Sequence, residues 1–411
     1  MKKKTKCYLY ALDIGSKKIT LAAGGINKNA IIDPILIETK DSKGIFKGIV
    51  GDLAALTDTI QAVFKKMEAR CQEKAQQAAL CINGNYINTR NSVAAMAVSE
   101  RGTRSITRRD MENLGSTSRT LGLELDEVLL HEYPQGYSVD RHNMTLNPLG
   151  LHGRRFEMDL LLVSAHAGYV ENIIKAVEQA GIDVSLLAYS GVAASEAVLS
   201  EEDKENGVIL VDIGDTLTGV LIFKDGVVRR ARILPFGGKN ISEIISNYFK
   251  ITLELADKVK EESLEITGDI SETEEVMLRS DYDFRPIKKK ELTSITAPEI
   301  DKFTATLKSI IFDSGVCGIA GFRIVTTGGL SLLEGLLEKM ETDIGLPVKM
   351  GIIRGSAALP ISKVPAYAGA IGLLYMHKDL QNRIGFNLQA QGKNKLSRVA
   401  DYVANLCRDY F

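Results

Sequence analysis

Two short strand-like runs open the chain, at residues 7–14 and 18–26, and Gly15-Ser16-Lys17 separates them. Two such runs around a short turn that contains glycine predict a β-hairpin. Apolar side chains then recur at 3.6-residue spacing over residues 52–75, which predicts an amphipathic helix. A further strand is predicted at 78–82. Because strands and helices alternate along the chain, the pattern indicates an α/β protein.

Residues 87–163 carry a small α/β pattern of their own, and we interpret them as an insertion. Thr107 supplies an N-cap signal for a helix that is predicted to end near residue 121. Strands are predicted near 127–132 and 155–163. After the insertion, the pattern predicts a helix at 167–180 and a strand at 182–188.

The arrangement at the start of the chain then recurs. Residues 207–213 and 218–224 are again two strand-like runs around a turn that contains glycine. This weak internal duplication predicts two lobes with a cleft between them. Later elements are predicted as a helix at 299–315, a strand at 323–329, helices at 331–341 and 365–375, and a polar linker at 378–394.

Composition excludes several broad classes of protein. The 411 residues include 51 basic and 52 acidic side chains, and this balance argues against a protein that coats nucleic acid. No run approaches the 18 consecutive apolar residues that a spanning helix needs. The five cysteines are scattered without metal-ligand spacing, and no cleavable signal segment follows the basic start. These features predict a cytoplasmic protein with free thiols.

Three glycine turns are candidates for phosphate binding, at residues 13–18, 212–216 and 326–329. Glycine at the end of a strand lets backbone N–H groups approach an anion, and a neighbouring hydroxyl can donate to a phosphate oxygen. Asp13 and Asp212 end the first strand of each predicted lobe. Two such carboxylates can hold a hydrated Mg²⁺ between the lobes.

The order of these turns resembles that of the actin-like ATPases, and further segments resemble the FtsA family of bacterial cell-division proteins. The 131–137 segment fits the family pattern P-Q-x-Y, and the 147–153 segment fits N-P-x-G-x-x-G. Other matching segments are 47–52, 79–87, 172–178 and 199–207. The resemblance covers residues 8–376.

This resemblance implies an actin-like, ribonuclease H-like fold of two lobes with an FtsA-type inserted subdomain, called 1C. The implied divisions are subdomain 1A at 1–86, 164–195 and 365–377, subdomain 1C at 87–163, subdomain 2A at 196–230 and 316–364, subdomain 2B at 231–315, a linker at 378–394 and a membrane-targeting helix at 395–411. Family members bind ATP in the cleft and polymerise into filaments at the cytoplasmic membrane, and subdomain 1C contacts neighbouring subunits and later divisome proteins.

The resemblance also assigns residues to a site for ATP and Mg²⁺. The first phosphate loop is Gly15, Ser16 and Lys18, and the second is Asp212, Gly214, Asp215, Thr216 and Thr218. The adenosine side is Gly237, Gly238, Asp257, Lys260, Gly328, Gly329 and Leu332. Asp13 and Asp212 are the metal positions, and no catalytic residue is assigned.

Departures from the family pattern weaken the expected ATPase. The second loop usually reads D-I-G-G-G-T-T-D, but this chain has Asp215 in place of a glycine and Gly219 in place of the later aspartate. Ser190 occupies the segment where related ATPases orient the attacking water, and serine is a poor general base without a partner. We therefore expect nucleotide binding with weak or absent hydrolysis, and loss of binding remains the alternative.

The C-terminal segment 395–411 has an apolar helical stripe with cations at its flanks. The residues predicted to contact the membrane are Leu396, Val399, Val403, Leu406, Tyr410, Phe411, Lys395 and Arg398. A helix of this composition lies in the membrane interface, and the FtsA family ends in such a helix. The alternative is a helix docked on the body of the protein or on a neighbouring subunit.

In the family, basic residues of subdomain 2B receive the acidic C-terminal peptide of FtsZ. The candidates are Arg285, Lys288, Lys289 and Lys290, although a charge run is more commonly solvated surface. Glu299 stands where the family commonly has a basic residue, which puts this docking in doubt. Two other functions stay open: a scaffold of pilus assembly like PilM, and a sugar or acetate kinase of the same superfold.

Overall fold

The computed structural model describes residues 8–26, 32–142, 144–268, 271–279, 284–315, 321–353 and 361–391. Within these ranges, none of the helices is long and apolar enough to cross a membrane. The strands are β1 Tyr8–Ile14, β2 Lys18–Ile26, β3 Ile32–Asp41, β4 Ile45–Phe46, β5 Ile49–Val50, β6 Gln77–Ile82, β7 Ile87–Ala97, β8 Arg104–Ser105, β9 Glu127–Val139, β10 His152–Gly153, β11 Arg155–His166, β12 Asp183–Tyr189, β13 Val208–Ile213, β14 Thr218–Lys224, β15 Val227–Leu234, β16 Glu275–Arg279, β17 Phe284–Lys288, β18 Ile324–Thr327 and β19 Val348–Met350.

The helices pack on the faces of these sheets. They are α1 Leu53–Cys71, α2 Arg108–Gly122, α3 Ala167–Gln179, α4 Ser190–Val198, α5 Glu201–Asn206, α6 Gly238–Phe249, α7 Leu253–Ser263, α8 Lys289–Asp313, α9 Leu336–Ile344 and α10 Ala368–Gln391. Two short 3₁₀ helices lie at Gly329–Leu332 and Ile361–Tyr367.

The first lobe is built on a five-stranded sheet in the order β12-β6-β1-β2-β3. β1 and β2 form the predicted antiparallel hairpin, whereas β6 runs parallel to both β1 and β12. Parallel strands end at the same edge of a sheet. Asp13 therefore pairs with Cys81 in register, and Tyr189 ends the next strand at the same edge.

The second lobe repeats this arrangement with the order β15-β14-β13-β18-β19. β13 and β14 form an antiparallel hairpin in which Asp212 lies opposite Gly219. β18 runs parallel to β13 and brings Thr327 beside Asp212. The predicted internal duplication and the two-lobed organisation are confirmed.

The inserted segment forms its own antiparallel sheet in the order β7-β11-β9, with α2 packed against it. Thr107 caps α2 as predicted, because its hydroxyl accepts from the Asp110 N–H while the Asp110 carboxylate accepts from the Thr107 N–H. The insert also contacts both lobes. His131 Nε2 accepts from Tyr189 N at 2.9 Å in the first lobe, and Gln135 Nε2 donates to the Val228 carbonyl at 2.9 Å in the second.

Local sequence signals account for the boundaries of several elements. The helix predicted at 52–75 begins at Leu53, where the Asp52 carboxylate caps it, and ends at Cys71. Gln72 then adopts a left-handed φ of 55°, which stops the helix. β9 extends past the predicted 127–132 to Val139, because it pairs along the length of β11 with two register shifts.

Two predictions of secondary structure were wrong in part. The segment 378–394 is not a linker where it is described, because α10 continues through its polar residues to Gln391. The helix predicted at 331–341 starts only at Leu336, after a 3₁₀ turn. The membrane-targeting helix predicted at 395–411 lies outside the described residues, and the subdomain boundaries stay predictions.

Candidate functional site

The two hairpin turns meet at the base of the cleft between the lobes. Gly15 closes the first turn by donating to the Lys18 carbonyl at 3.1 Å, and Gly214 closes the second in the same way with Leu217 at 3.0 Å. Thr216 Oγ1 then donates to Ser16 Oγ at 2.9 Å. The structure thus brings the predicted phosphate loops together with a hydroxyl from each.

Two acidic side chains lie just behind these turns. Burial raises the pKa of Asp13, and burial together with the charge of Asp13 raises the pKa of Asp212 to about 7. A hydrogen bond with the Cys81 thiol and the charge of Lys18 act in the opposite direction on Asp13, without cancelling the effect of burial. Two acids whose pKa values are both raised by burial favour a bound cation.

The residues fit Mg²⁺ held together with a nucleotide. Mg²⁺ commonly takes one or two carboxylates, several waters and phosphate oxygens rather than a cage made of protein alone. The described residues contain no group of three or more His, Cys, Asp or Glu side chains arranged for a metal. Asp13 and Asp212 are therefore suited to a hydrated metal that arrives with phosphate.

The third glycine turn approaches Asp212 closely. Gly328 has a φ of 86°, and a Cβ atom there would lie 2.6 Å from Asp212 Oδ1 and 2.4 Å from the Ile213 carbonyl. Only glycine fits this position. Gly329 and Leu332 follow in the 3₁₀ helix, and the Leu332 side chain is partly exposed. The predicted third turn is thus beside the acidic pair.

Gly237 and Gly238 hold the second phosphate loop at the start of α6. Gly238 N donates to the Gly214 carbonyl at 3.0 Å, and Lys239 N donates to the Asp215 carbonyl at 2.7 Å. A Cβ atom on Gly237 would lie 2.4 Å from that Asp215 oxygen. These two glycines therefore allow the start of α6 to pack closely against the second phosphate loop. Their contact with adenosine stays a prediction.

Lys260 and Asp257 form a buried polar network with Ser242. Lys260 Nζ donates to Asp257 Oδ1 and Ser242 Oγ, both at 2.7 Å, and to the Gly238 carbonyl at 3.0 Å. Burial opposes ionisation of Asp257, but hydrogen bonds from Lys260 and Ser242 outweigh it and lower its pKa. Of the residues predicted for the adenosine side, Gly238, Asp257 and Lys260 therefore lie together on α6 and α7.

Asp215, the residue that replaces a family glycine, lies among lysines. Burial raises its pKa, while the charges of Lys260, Lys17 and Lys239 act in the opposite direction. The negative charge of Asp215 is therefore partly offset by surrounding cations. Lys18, by contrast, points its ammonium at the Tyr367 ring, 4.4 Å from the centroid.

Sequence reasoning missed the contacts that join the lobes beside the turns. Lys17 Nζ lies 2.6 Å from Glu261 Oε1 and 3.3 Å from Asp257 Oδ2 on α7. Lys239 Nζ lies 4.4 Å from the centroid of the Phe46 ring. The position of Lys17 inside the first turn was the available signal, but its partners are more than 200 residues away in the chain.

The predicted basic surface of the second lobe is largely engaged. Lys289 pairs with Glu265 at 2.7 Å and with Glu274 at 3.0 Å, and Lys290 pairs with Glu272 at 2.8 Å. Lys288 is the N-cap residue of α8, and the Arg285 guanidinium donates to the Phe249 carbonyl. Glu299 lies on α8 itself. Two of the four candidate cations are thus already neutralised by neighbouring acids.

Comparison with known proteins gives consistent matches. The family model described as cell division protein FtsA matches residues 209–372, and the model of the SHS2 domain inserted in FtsA matches residues 84–164. The chain is 29% identical over 389 residues to cell division protein FtsA of Buchnera aphidicola subsp. Baizongia pistaciae, with 91% of each chain covered. It is 26% identical over 379 residues to FtsA of Escherichia coli K12, with 90% of each covered.

Solved structures share the fold. A chain of the PilM–PilN type IV pilus biogenesis complex superposes with a TM-score of 0.65 at 16% identity, covering 90% of this chain and 98% of that one. MreB5 of Spiroplasma citri bound to ADP superposes with a TM-score of 0.54 at 12% identity, covering 93% and 99%. The predicted actin-like two-lobed fold with an FtsA-type insert is confirmed.

Proposed function

Because this chain belongs to the FtsA family of cell division proteins, we propose that it is an actin homologue that binds ATP between its lobes, polymerises at the cytoplasmic membrane and tethers FtsZ there. The observation that carries nucleotide binding is the pairing of Ser16 and Thr216 across the cleft, close to Asp13 and Asp212, two acids whose pKa values are raised by burial. The fold shared with an MreB5 structure bound to ADP supports the same site.

Mg²⁺ is the proposed companion of the nucleotide, held by Asp13 and Asp212 through its water shell. When bound, it supplies positive charge that neutralises the phosphates and these two carboxylates. The remaining binding comes from the chain: N–H groups of the glycine turns and the hydroxyls of Ser16 and Thr216 face the phosphates, while Lys17, Lys239 and Lys260 offset the charge of Asp215.

We propose slow or absent hydrolysis. Position 190, where a water-orienting acid or amide is expected, carries a serine at the start of α4, and the segment provides no general base. Calorimetry with ATP and Mg²⁺, paired with a phosphate-release assay, tests both parts. Measurable binding with turnover slower than one per minute is expected. Rapid turnover would contradict the weak ATPase, and absence of binding would contradict the site.

Membrane attachment is assigned to the segment 395–411, behind the end of α10. A single short amphipathic helix binds lipid marginally, so filaments that present many copies are expected to bind by avidity. Co-sedimentation with vesicles that contain anionic lipid tests this. Deletion of 395–411 should abolish pelleting, and unchanged pelleting would argue for a helix docked on protein instead. We accordingly place the protein at the inner face of the cell membrane, at the division site.

The FtsZ contact is proposed for subdomain 2B, at 231–315, through its basic side chains. Since Lys289 and Lys290 already pair with acids, Lys288 is the better candidate for contact with the acidic tail. Fluorescence anisotropy with the C-terminal peptide of FtsZ tests this, with Lys288→Glu expected to weaken binding. Equal affinity in this variant would place the peptide elsewhere. Contacts with later divisome proteins and neighbouring subunits are assigned to subdomain 1C, at 87–163.

A pilus scaffold like PilM is the second candidate, because the chain of the PilM–PilN complex superposes with a TM-score of 0.65. The matched SHS2 domain inserted in FtsA, at 84–164, favours the division protein. Rescue of a strain depleted of FtsA by this chain would support division. Failure to rescue, together with binding of a pilus membrane protein's cytoplasmic tail, would support the scaffold.

A further inference from the structure

The ring of Tyr189 crosses from the first lobe to the second at the base of the cleft. Tyr189 ends β12, and its side chain is only 1% exposed. A Cβ atom on Gly191 would lie 2.8 Å from ring atoms Cε1 and Cζ, and one on Gly219 would lie 2.5 Å from the hydroxyl oxygen. Two glycines, one from each lobe, therefore form the slot that holds this ring.

The hydroxyl of Tyr189 occupies the space of a side chain at position 219. Gly219 lies directly opposite Asp212 in the β13–β14 pair, and directly opposed residues project from the same face of a sheet. A side chain at 219 would thus stand next to the Asp212 carboxylate. The tyrosine oxygen fills that place from the other lobe.

This hydroxyl is buried and has no hydrogen-bond partner among the described residues. An unpaired buried hydroxyl is costly, and such a group commonly serves a ligand-bound state. Burial raises the pKa of Tyr189 and the charge of Asp212 raises it further, so the phenol stays protonated as a donor.

The inserted domain fixes the backbone of this residue. Tyr189 N donates to His131 Nε2 on β9 at 2.9 Å. Burial lowers the pKa of His131 to about 4, which keeps the imidazole neutral and able to accept. The position of the tyrosine is therefore set by the insert on one side and by the two glycines on the other.

We propose that Tyr189 is a positioning residue for Asp212: its hydroxyl replaces the side chain missing at Gly219 and orients the metal-side carboxylate when a metal–nucleotide complex is bound. The inference rests on the proposed nucleotide site. Because the hydroxyl is a neutral donor, the site needs less positive charge to bind phosphates than it would need with a third carboxylate at position 219.

Tyr189→Phe tests the role of the hydroxyl, with Tyr86→Phe as the matched control. Tyr86 also has a buried hydroxyl without a partner among the described residues, and it stacks on Tyr169. Calorimetry measures ATP binding with Mg²⁺ and with EDTA. We expect Tyr189→Phe to weaken binding about ten-fold in Mg²⁺ only, without a lower melting temperature. The control should match the unaltered protein in both conditions.

The outcomes separate this role from the proposed function. Unchanged Mg²⁺-dependent affinity in Tyr189→Phe would overturn the role of the hydroxyl alone. A loss that is equal in Mg²⁺ and in EDTA would also overturn it, because the effect would then be structural. Absence of ATP binding by the unaltered protein would overturn the nucleotide site, and the role with it.

A double-mutant cycle tests the shared space without any nucleotide. Gly219→Ala should lower the melting temperature clearly, since its Cβ would lie 2.5 Å from the hydroxyl oxygen. In a Tyr189→Phe background the nearest remaining ring atom of residue 189 is 3.6 Å away, an ordinary contact. Gly219→Ala should therefore lower the melting temperature much less in the Tyr189→Phe background. Equal losses in both backgrounds would show that the hydroxyl does not fill this space.

Discussion

Thr216 in the second lobe donates a hydrogen bond to Ser16 in the first, with 2.9 Å between their hydroxyl oxygens. Both residues belong to tight glycine turns that the chain duplicates, so the contact joins the two equivalent turns, one from each lobe. Lys17 adds an ion pair to α7 immediately beside it. The two turns are thus tied to each other by a hydrogen bond, and the first is tied to the second lobe by an ion pair.

Thr216→Val should weaken ATP binding while the fold is retained. The substitution keeps the shape of the side chain but removes the hydroxyl that is available to phosphate. A hydrogen bond to a charged group contributes about 1.5 kcal/mol, a factor of about ten in affinity. Calorimetry with ATP and Mg²⁺ measures the affinity for ATP, and unchanged affinity would show that Thr216 does not bind phosphate.

Thr218→Val is the matched control for that experiment. Its buried hydroxyl donates to the Phe236 carbonyl at 2.8 Å rather than toward the cleft. Its loss leaves a buried carbonyl without this donor, which costs about 1–3 kcal/mol of folding free energy. Urea unfolding should therefore show a larger loss of stability in this variant than in Thr216→Val, because the Ser16 hydroxyl left by Thr216→Val is only partly buried and can be solvated.

Asp215→Asn should tighten ATP binding. The carboxylate stands beside the proposed phosphate position, and two like charges about 4 Å apart repel by about 4 kcal/mol at an effective dielectric near 20. Lys260, Lys17 and Lys239 already offset part of this repulsion, so removing the carboxylate should recover only the remaining part. We expect affinity to rise about ten-fold.

Asp225→Asn provides the control for the change of charge. Asp225 is exposed and pairs with Arg229 on β15, at 2.7 Å. The substitution alters net charge equally but should leave ATP affinity as it was. An Asp215→Asn protein that binds ATP no more tightly than this control would show that the surrounding lysines already cancel the carboxylate fully.

Much of the fold could be predicted from sequence because its signals are local. Short β-rich runs on either side of Gly15 and of Gly214 predict two hairpins, and their repetition indicates two lobes. The Lys17–Glu261 pair and the slot for Tyr189 could not be predicted in this way. Each depends on elements that are distant in the chain and that meet only after the lobes pack.

The polar composition near the end of the described chain led to a wrong prediction of a linker. The segment 378–394 has few apolar anchors, which suggested a linker, yet α10 runs through it to Gln391. The first half of α10 packs on α4. Extending an existing helix adds one hydrogen bond per residue, so the polar second half needs only residues of adequate helix propensity. A polar composition therefore excludes a buried face but not a helix.

His131 should make stability depend on pH. Burial lowers its pKa from 6.5 to about 4 in the folded protein. Between these values the unfolded chain binds a proton that the folded chain does not, so stability falls as pH decreases from about 6.5 to about 4. His131→Gln keeps an acceptor for Tyr189 N without titrating. We expect a shallower pH dependence in urea unfolding.

The exposed His152 serves as the control for this pH series. It lies at the surface, with Nε2 2.8 Å from Ser105 Oγ. His152→Gln should reproduce the pH dependence of the unaltered protein. If His131→Gln and His152→Gln gave the same slope between pH 6.5 and pH 4, buried His131 would not be the group that binds the proton.

Two glycines in helices should respond in opposite directions to alanine. On α10, a Cβ atom at Gly372 would lie 1.7 Å from the Ala193 carbonyl of α4, so Gly372→Ala must separate the two helices. Overpacking of this kind costs about 1–3 kcal/mol. On α2, Gly115 has open space around its Cα, and Gly115→Ala should add about 0.8 kcal/mol through helix propensity alone. Hydrogen exchange of the full chain, read separately in α4 and α2, measures the local stability of each helix in its variant. Slower exchange in α4 of Gly372→Ala would refute the close contact between α10 and α4.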